Sequence, residues 1–294
     1  MPNQNTRRDA IRNMLLGSLA IGGAGWTNRL PSDSSRPYAP LKGNINHSAC
    51  YWCYGSIPLD TFCAGAKEIG LKAVDLVGPS QWPVLKKYGL DSSMCNGAEL
   101  NLVDGWNDKT FHAKLIQRYT EMIPLVAQNG YTNLICFSGN RRGKDDETGL
   151  KNCTEGLKQI MSLAEKHKVM IVMELLNSRV DHGDYQCDKS AWGVELVKRV
   201  GSPNFKLLYD IYHMQIDEGD VIRTIKNNHQ YFAHYHTGGV PGRNEIDQTQ
   251  ELYYPAIMEA IVKTGFKGYV AQEFIPTWPD KLAALRKGVE ICDV

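Results

Sequence analysis

Short apolar segments alternate with longer helix-like segments along nearly all of this 294-residue chain. The apolar, β-rich segments lie at residues 44–48, 73–76, 92–96, 133–137, 169–174, 206–210, 231–236 and 268–274. The helix-like segments lie at residues 58–69, 81–88, 109–129, 148–168, 190–200, 220–228, 254–264 and 278–291. This alternation predicts parallel strands covered by helices, because the chain must cross over the sheet between one parallel strand and the next.

Two architectures are compatible with this alternation, and the glycine pattern separates them. An open, doubly wound sheet would need a glycine-rich phosphate loop after an early strand. The glycine-containing run at residues 138–143 follows the fourth strand instead, and it lacks both the dinucleotide fingerprint and the lysine of a P-loop. Eight strand-helix units of roughly 31 residues are typical of a (β/α)8 barrel. We therefore predict one α/β domain, a TIM barrel, over residues 42–294.

The first 31 residues differ in composition from the rest and are expected to lie outside the barrel. Arg7 and Arg8 precede an apolar run rich in Gly and Ala at residues 14–24, which is typical of a twin-arginine export signal. The run is too short to span a bilayer, and the alternative is a basic leader on a cytoplasmic protein. Residues 32–41, which contain Pro and Ser, are expected to form a linker. The sequence thus favours an exported, periplasmic protein with no membrane span in its mature form.

The distribution of charge excludes two kinds of partner. The whole chain has a formal net charge of +1, of which +3 belongs to the first 31 residues and −2 to the remainder. A body with this charge lacks the basic surface that binds nucleic acid or an anionic membrane. A small-molecule substrate is the expected partner, and the sequence leaves a homo-oligomer open.

Eight cysteines are compatible with disulfides in an exported protein. Several fall in segments that we expect to be buried, such as Cys63 in a helix and Cys136 at the end of a strand. We therefore expect mostly buried, free thiols. Cys50 and Cys53 have the spacing of a redox or zinc motif, but the chain has no second such pair. We interpret them as incidental cysteines near the mouth of the barrel.

Four of the strand-like segments end at or beside a residue that can bind a metal ion: Glu174, Asp210, His236 and Glu273. The intervals of 36, 26 and 37 residues place them on four consecutive barrel strands. Such strand ends meet at one mouth of the barrel, where active sites form. Three carboxylates and an imidazole that face one point repel unless a divalent cation joins them. The sequence therefore predicts one divalent metal ion, and Mn, Mg, Co and Zn all suit these ligands.

Polar residues beside these strand ends are candidates for binding a substrate. His213 lies three residues after Asp210 and is expected either to hydrogen-bond a substrate oxygen or to orient Asp210. His234, on the same strand side as His236, either supports that residue or is a core histidine. Arg243 on the following loop suits an anionic or hydroxylated substrate. Substrate contact is predicted for His213, Arg243, Asn177 and His47, with Trp52, Glu99, Trp106 and Arg141 as further candidates at the rim.

These residues resemble the hydroxypyruvate isomerases, a group within the xylose-isomerase-like barrel superfamily of sugar isomerases and epimerases. The resemblance covers residues 138–276. It rests on Glu-Leu-Leu-Asn at 174–177, Asp-Ile-Tyr-His-Met-Gln at 210–215, Val-Pro-Gly-Arg at 240–243 and Gln-Glu-Phe at 272–274. It implies metal ligation by Glu174, Asp210, His236 and Glu273. Hydroxypyruvate isomerases have Gln at the position of His236, whereas ketose 3-epimerases have His there.

The chemistry that this resemblance implies is proton transfer next to a carbonyl group. Glu174 and Glu273 would act as acid and base, and the metal would stabilise the charge of an enediolate. We predict a metal-dependent isomerase for a small hydroxy-carbonyl substrate, either hydroxypyruvate and tartronate semialdehyde or an aldose–ketose pair. The alternatives are a ketose 3-epimerase, an inosose-type dehydratase on the same metal site, and a non-catalytic periplasmic carbohydrate-binding protein.

Overall fold

The computed structural model describes residues 40–294. The predicted leader at residues 1–31 and nearly all of the predicted linker lie outside the described residues. The strands are β1 (Asn46–Ala49), β2 (Ala73–Val77), β3 (Asp91–Cys95), β4 (Asn133–Cys136), β5 (Met170–Glu174), β6 (Phe205–Asp210), β7 (Phe232–Thr237) and β8 (Tyr269–Gln272). The α-helices are α1 (Leu59–Ile69), α2 (Trp82–Lys87), α3 (His112–Gln128), α4 (Asp146–His167), α5 (Ser190–Val200), α6 (Ile211–Asp217), α7 (Val221–Asn228), α8 (Tyr254–Lys263) and α9 (Lys281–Cys292).

The strands form one parallel sheet in the order β1-β8-β7-β6-β5-β4-β3-β2. The remaining junction, between β1 and β2, is bridged by a parallel pairing of Cys50 with Asp75. The backbone N–H of Lys72 also donates to the carbonyl oxygen of His47 at 2.9 Å. The sheet is therefore a nearly closed barrel, which confirms the predicted (β/α)8 fold.

The barrel strands are buried because side chains of the interior cover one face and the helix layer covers the other. In β5, which reads Met-Ile-Val-Met-Glu, only Met170 is partly exposed. The helices pack closely on the outer face. A Cβ atom added to Gly193 of α5 would lie 2.8 Å from Cδ1 of Leu207 in β6. A larger residue at position 193 would therefore have to displace the side chain of Leu207.

The predicted boundaries differ from the observed ones by at most three residues, apart from one helix that sequence reasoning missed. Helix α6 begins directly after β6, because Asp210 caps it: Oδ1 of Asp210 accepts from the backbone N–H of His213 at 2.9 Å. The helix has only seven residues, most of them buried, so it lacks the polar face that marks a surface helix in a sequence. It places His213 at the mouth of the barrel.

All eight cysteines are buried and free, which confirms the expectation from the sequence. In residues 40–294, none of the helices has the length and apolar character that crossing a membrane would need.

Candidate active site

The four predicted metal ligands lie together at the C-terminal mouth of the barrel. Glu174 and Asp210 are the last residues of β5 and β6, His236 is the penultimate residue of β7, and Glu273 directly follows β8. All four are buried, and one ligand atom from each lies within 4.8 Å of those from the others. The even spacing along the chain therefore becomes a compact cluster, because neighbouring parallel strands present their ends side by side.

His236 is at the centre of this cluster. Its Nδ1 atom lies 2.8 Å from Oε2 of Glu273, 3.3 Å from Oε1 of Glu174 and 3.8 Å from Oδ2 of Asp210. Three carboxylates thus face one ring nitrogen from three different strand ends.

Arg243 brings a positive charge into the site. Its guanidinium NH2 lies 2.6 Å from Oε2 of Glu273 and 3.8 Å from Oδ2 of Asp210. The guanidinium also lies over the rings of Trp52 and Tyr212, 5.2 and 5.3 Å from their centroids, where cation–π attraction contributes. Trp52 itself donates from Nε1 to Oε1 of Glu273 at 2.9 Å, although the residue is 46% exposed. Arg243 and Trp52 therefore form a polar and aromatic wall at the open side of the cluster.

Burial and neighbouring charges push the pKa values of the carboxylates apart. Burial, with the charge of Glu273 added, raises the pKa of Asp210 well above its ordinary value. Burial also raises the pKa of Glu174. Burial acts in the same direction on Glu273, but Arg243 and His236 outweigh it and hold the pKa of Glu273 well below its ordinary value. The positive charges of Arg243 and His236 are thus not enough to keep all three carboxylates ionised.

The unpartnered atoms of the site fit a cation. Within the part of the chain that the structure describes, Oε1 of Glu174 and Oδ2 of Asp210 are buried without a hydrogen-bond partner. Buried acceptors without a donor are costly, and a metal ion satisfies them without a proton. Three carboxylates and one imidazole are a donor set that first-row divalent ions and Mg accept. Glu174, Asp210, His236 and Glu273 therefore fit one divalent cation on their own chemistry.

His213 has an oriented ring. Its Nδ1 lies 2.6 Å from Nδ2 of Asn177, which donates to it, and its Nε2 is buried without a hydrogen-bond partner, 3.8 Å from Oδ2 of Asp210. Accepting at Nδ1 leaves the proton of the neutral ring on Nε2, so His213 offers a donor toward the site. Asn177 also accepts from the backbone N–H groups of Val180 and Asp181, both at 3.0 Å. Asn177 thus braces the loop after β5 and orients the ring of His213.

The predicted contact by His47 requires correction. Ser48 faces the barrel interior, where its hydroxyl lies 2.5 Å from that of Ser93. Successive residues of a strand alternate sides, so His47 faces away, with Nε2 3.6 Å from Oδ1 of Asp293. Two rim candidates also have other roles: Trp106 packs in the core against Tyr119, and Arg141 pairs with Asp188 at 2.9 Å.

Two residues of the site were underestimated from the sequence. Trp52, only one of several rim candidates, bonds Glu273 directly. Asp75 was not considered, although it contacts His236 from the opposite side, with Oδ1 3.0 Å from Nε2. A signal was present, because Asp75 is a lone carboxylate inside the otherwise apolar strand 73–77.

The loop after β7 holds Arg243 through backbone contacts. The N–H of Gly239 donates to the carbonyl of Asn244 at 2.9 Å, and the N–H of Arg243 donates to the carbonyl of Gly239 at 2.8 Å. The N–H of Ile275 donates to the carbonyl of Arg243 at 2.7 Å, which ties the loop to the segment after β8. A Cβ atom on Gly239 would lie only 2.4 Å from the carbonyl oxygen of Glu245. The close approach of these backbones requires glycine.

Replacing Gly239 with Ala is therefore expected to lower the free energy of unfolding by about 1–3 kcal/mol, since the backbone around Arg243 must move. Urea unfolding followed by circular dichroism measures the change. The matched control is Gly183→Ala, because a Cβ atom at Gly183 meets nothing within 4 Å. Equal stability of the two variants would show that the loop is not packed as described.

The chain is thus a TIM barrel with a candidate metal centre at the C-terminal ends of its last four strands. The family model described as "Xylose isomerase-like TIM barrel" matches residues 66–292, and the chain belongs to this family.

Curated relatives match part of the chain. It is 34% identical over 122 residues to the 2-oxo-tetronate isomerase of Cupriavidus necator, a stretch that covers 42% of this chain and 46% of that protein. It is also 28% identical over 122 residues to a Homo sapiens protein that is named as a proposed hydroxypyruvate isomerase. This stretch covers 42% of this chain and 44% of that protein. The matched stretch is thus a little under half the length of both relatives, whose names are those of isomerases.

Among solved structures, D-psicose 3-epimerase of Clostridium cellulolyticum H10, determined with D-tagatose, has a TM-score of 0.67 and 19% sequence identity. The likeness covers 85% of this chain and 100% of that chain. At this identity it shows the shared fold.

Proposed function

We propose that the protein is a metal-dependent isomerase that moves a proton between neighbouring carbons of a small hydroxy-carbonyl substrate. One observation carries the proposal: Glu174 and Glu273, from the ends of β5 and β8, face the same ring nitrogen of His236 at 3.3 and 2.8 Å. Two carboxylates in one buried cluster supply both the base and the acid that such a reaction needs.

Glu273 and Glu174 have different roles in the proposed reaction. Glu273, which pairs with Arg243 and accepts from Nε1 of Trp52, is the ionised base that removes the carbon-bound proton. Glu174, whose pKa burial raises, returns a proton at the neighbouring carbon. A divalent cation held by Glu174, Asp210, His236 and Glu273 supplies the positive charge that lowers the free energy of an enediolate.

Two further groups bind the substrate in this proposal. Nε2 of His213 donates to a substrate oxygen, because it is buried and has no hydrogen-bond partner among residues 40–294. The guanidinium of Arg243 meets a carboxylate or hydroxyl group of the substrate, because its flat, multiple donors suit both. The names of the relatives, 2-oxo-tetronate isomerase and hydroxypyruvate isomerase, support a short substrate that carries a carboxylate.

A ketose 3-epimerase is the second candidate, and His236 is the observation that favours it. Histidine at this position resembles the ketose 3-epimerases, whereas hydroxypyruvate isomerases have Gln. In an epimerase the same two carboxylates would act on opposite faces of one carbon. The proposed substrate is then a neutral ketose, and Arg243 contacts hydroxyl groups rather than a carboxylate.

Proton exchange with solvent separates these candidates. The Mn²⁺-loaded protein is incubated in D₂O with hydroxypyruvate, with a four-carbon 2-oxo acid and with a ketose panel, and deuterium is located by NMR. Isomerisation places deuterium on a carbon whose oxidation state changes, whereas 3-epimerisation places it on a carbon that inverts. Deuterium uptake from no substrate, with tight carbohydrate binding, would contradict both candidates and favour a binding protein.

A further inference from the structure

A second polar cluster lies in the barrel interior, on the far side of the His236 ring from the carboxylates. Its centre is Asp75 of β2, which is fully buried. Oδ1 of Asp75 lies 3.0 Å from Nε2 of His236. Oδ2 lies 2.9 Å from Nε2 of His234 and accepts from the hydroxyl of Ser93 at 2.5 Å. Both oxygens of a buried carboxylate are therefore occupied by neighbouring side chains.

The backbone of β2 is irregular at this residue. The pairing of β2 with β3 shifts register on both sides of Asp75, and the next residue, Leu76, has a φ of 53°. Bulges of this kind redirect a side chain and recur beside functional sites, while a left-handed leucine costs free energy. The irregularity places Asp75 in the barrel interior, within reach of Cys50 and His236.

The contact between Asp75 and Nε2 of His236 sets the tautomer of the His236 ring. An ionised carboxylate only accepts, so Nε2 of His236 must donate to Asp75. The other oxygen of Asp75, Oδ2, accepts from the hydroxyl of Ser93 and lies 2.9 Å from Nε2 of His234, so the surroundings of the carboxylate suit its acceptor-only, ionised form. The thiol of Cys50, 3.7 Å from the same nitrogen, is a weak competitor. In the absence of a metal ion, Nδ1 can also carry a proton and share it with Oε2 of Glu273, 2.8 Å away. When a metal ion takes the place of that proton, the proton on Nε2 remains with Asp75, and the lone pair of Nδ1 faces Glu174, Asp210 and Glu273.

A lone pair aimed at three carboxylates is unfavourable unless a cation lies between them. Metal-binding histidines commonly donate their other ring N–H to a carboxylate, which orients the ring and makes the ligating nitrogen more basic. We propose that Asp75 is a positioning residue for the metal centre: it holds His236 in the Nε2-protonated form, with Nδ1 directed at the metal ion. This inference rests on the metal site of the proposed function.

Metal affinity tests the inference. Asp75→Asn keeps the shape of the side chain but removes its charge, and it is expected to weaken Mn²⁺ binding by about 10–100-fold, as outer partners of metal ligands do. The control is Ser48→Ala, because the Ser48 hydroxyl contacts Ser93 rather than Asp75. Its affinity is expected to remain unchanged. Titration followed by electron paramagnetic resonance gives both dissociation constants, and circular dichroism shows that each variant is folded.

The tautomer of His236 provides a second measurement that does not need the Asp75 variant to fold. Long-range ¹H–¹⁵N spectra of the Zn²⁺-loaded, ¹⁵N-histidine protein are expected to show His236 protonated at Nε2, with the signal assigned by its loss in His236→Gln. A proton on Nδ1, or unchanged Mn²⁺ affinity in folded Asp75→Asn, would overturn the role of Asp75 and leave the proposed function standing. Failure of the unmodified protein to bind either metal would overturn both.

Discussion

Glu273→Gln is expected to reduce turnover by about 10²–10⁴-fold, the range that a positioned acid–base group contributes. The amide keeps the size of the side chain and can still accept from Nε1 of Trp52, which lies 2.9 Å from Oε1. It cannot take a proton from carbon. Glu174→Gln is expected to cause a loss of the same order, because the reaction also needs the group that returns the proton. Deuterium exchange into the substrate measures this loss separately from product formation.

The stability of the two glutamine variants gives a further signature. Burial raises the pKa of Glu174, which means that its ionised form is unfavourable in the folded protein at neutral pH. In the presence of a chelator, Glu174→Gln is therefore expected to melt at a higher temperature than the unmodified protein. Mn²⁺ should reverse the order, since only the unmodified protein keeps all of the carboxylates that we propose as ligands of the ion.

Glu259→Gln is the matched control for these variants. Glu259 is exposed on α8, far in the sequence from the proposed ligands, and it pairs with Lys263 at 3.1 Å. Its replacement is expected to leave exchange and turnover unchanged. Exchange rates in Glu273→Gln and Glu174→Gln that match those of Glu259→Gln would show that neither carboxylate transfers the proton.

Asp210→Asn is expected to remove metal binding while leaving the fold intact. Asn can still accept from the N–H of His213 and cap α6, as Oδ1 of Asp210 does at 2.9 Å. The change removes one of the charges that face the cation, beside the unpartnered Oδ2. Addition of Mn²⁺ at about 100 times its dissociation constant should stabilise the unmodified protein by roughly 2.7 kcal/mol. The variant should show almost none of this gain.

Thermal unfolding with Mn²⁺ and with a chelator measures this difference. Asp220→Asn serves as the control, since Asp220 is exposed and its left-handed backbone suits Asn as well as Asp. Chelation should also abolish turnover, and added Mn²⁺ should restore it. An Asp210 variant that gains as much stability from Mn²⁺ as the Asp220 variant would rule out Asp210 as a ligand.

The fold could be predicted because it depends on a pattern that is local and repeated. Each strand is a short apolar run, and each helix carries its own amphipathic period and often a glycine stop. Gly70 and Gly201, for example, end α1 and α5 in the left-handed conformation. Helix α6 was not predicted, because it is short and mostly buried. In addition, Asp210, which caps it, was interpreted only as a ligand.

The residues of the site also differ in how well the sequence predicts their positions. Glu174, Asp210, His236 and Glu273 could be found because each ends or follows a strand, and a barrel brings all such ends to one mouth. The same reasoning did not hold for the predicted substrate contact of His47, because proximity to a strand end does not decide which way a side chain faces. On β1 the interior side belongs to Ser48, which bonds Ser93.

The sequence by itself therefore determined the barrel, the four candidate ligands and the chemical class of the site, since these follow from periodicity and from the spacing of residue types. Only the tertiary structure decided which groups surround those ligands. Asp75 lies 161 residues from His236 in the chain, and Trp52 lies 221 residues from Glu273. Pairing of β1 with β8 brings Trp52 beside Glu273, and closure of the sheet between β1 and β2 brings Asp75 to His236. These contacts join residues that are far apart in the chain, so no local sequence pattern indicates them.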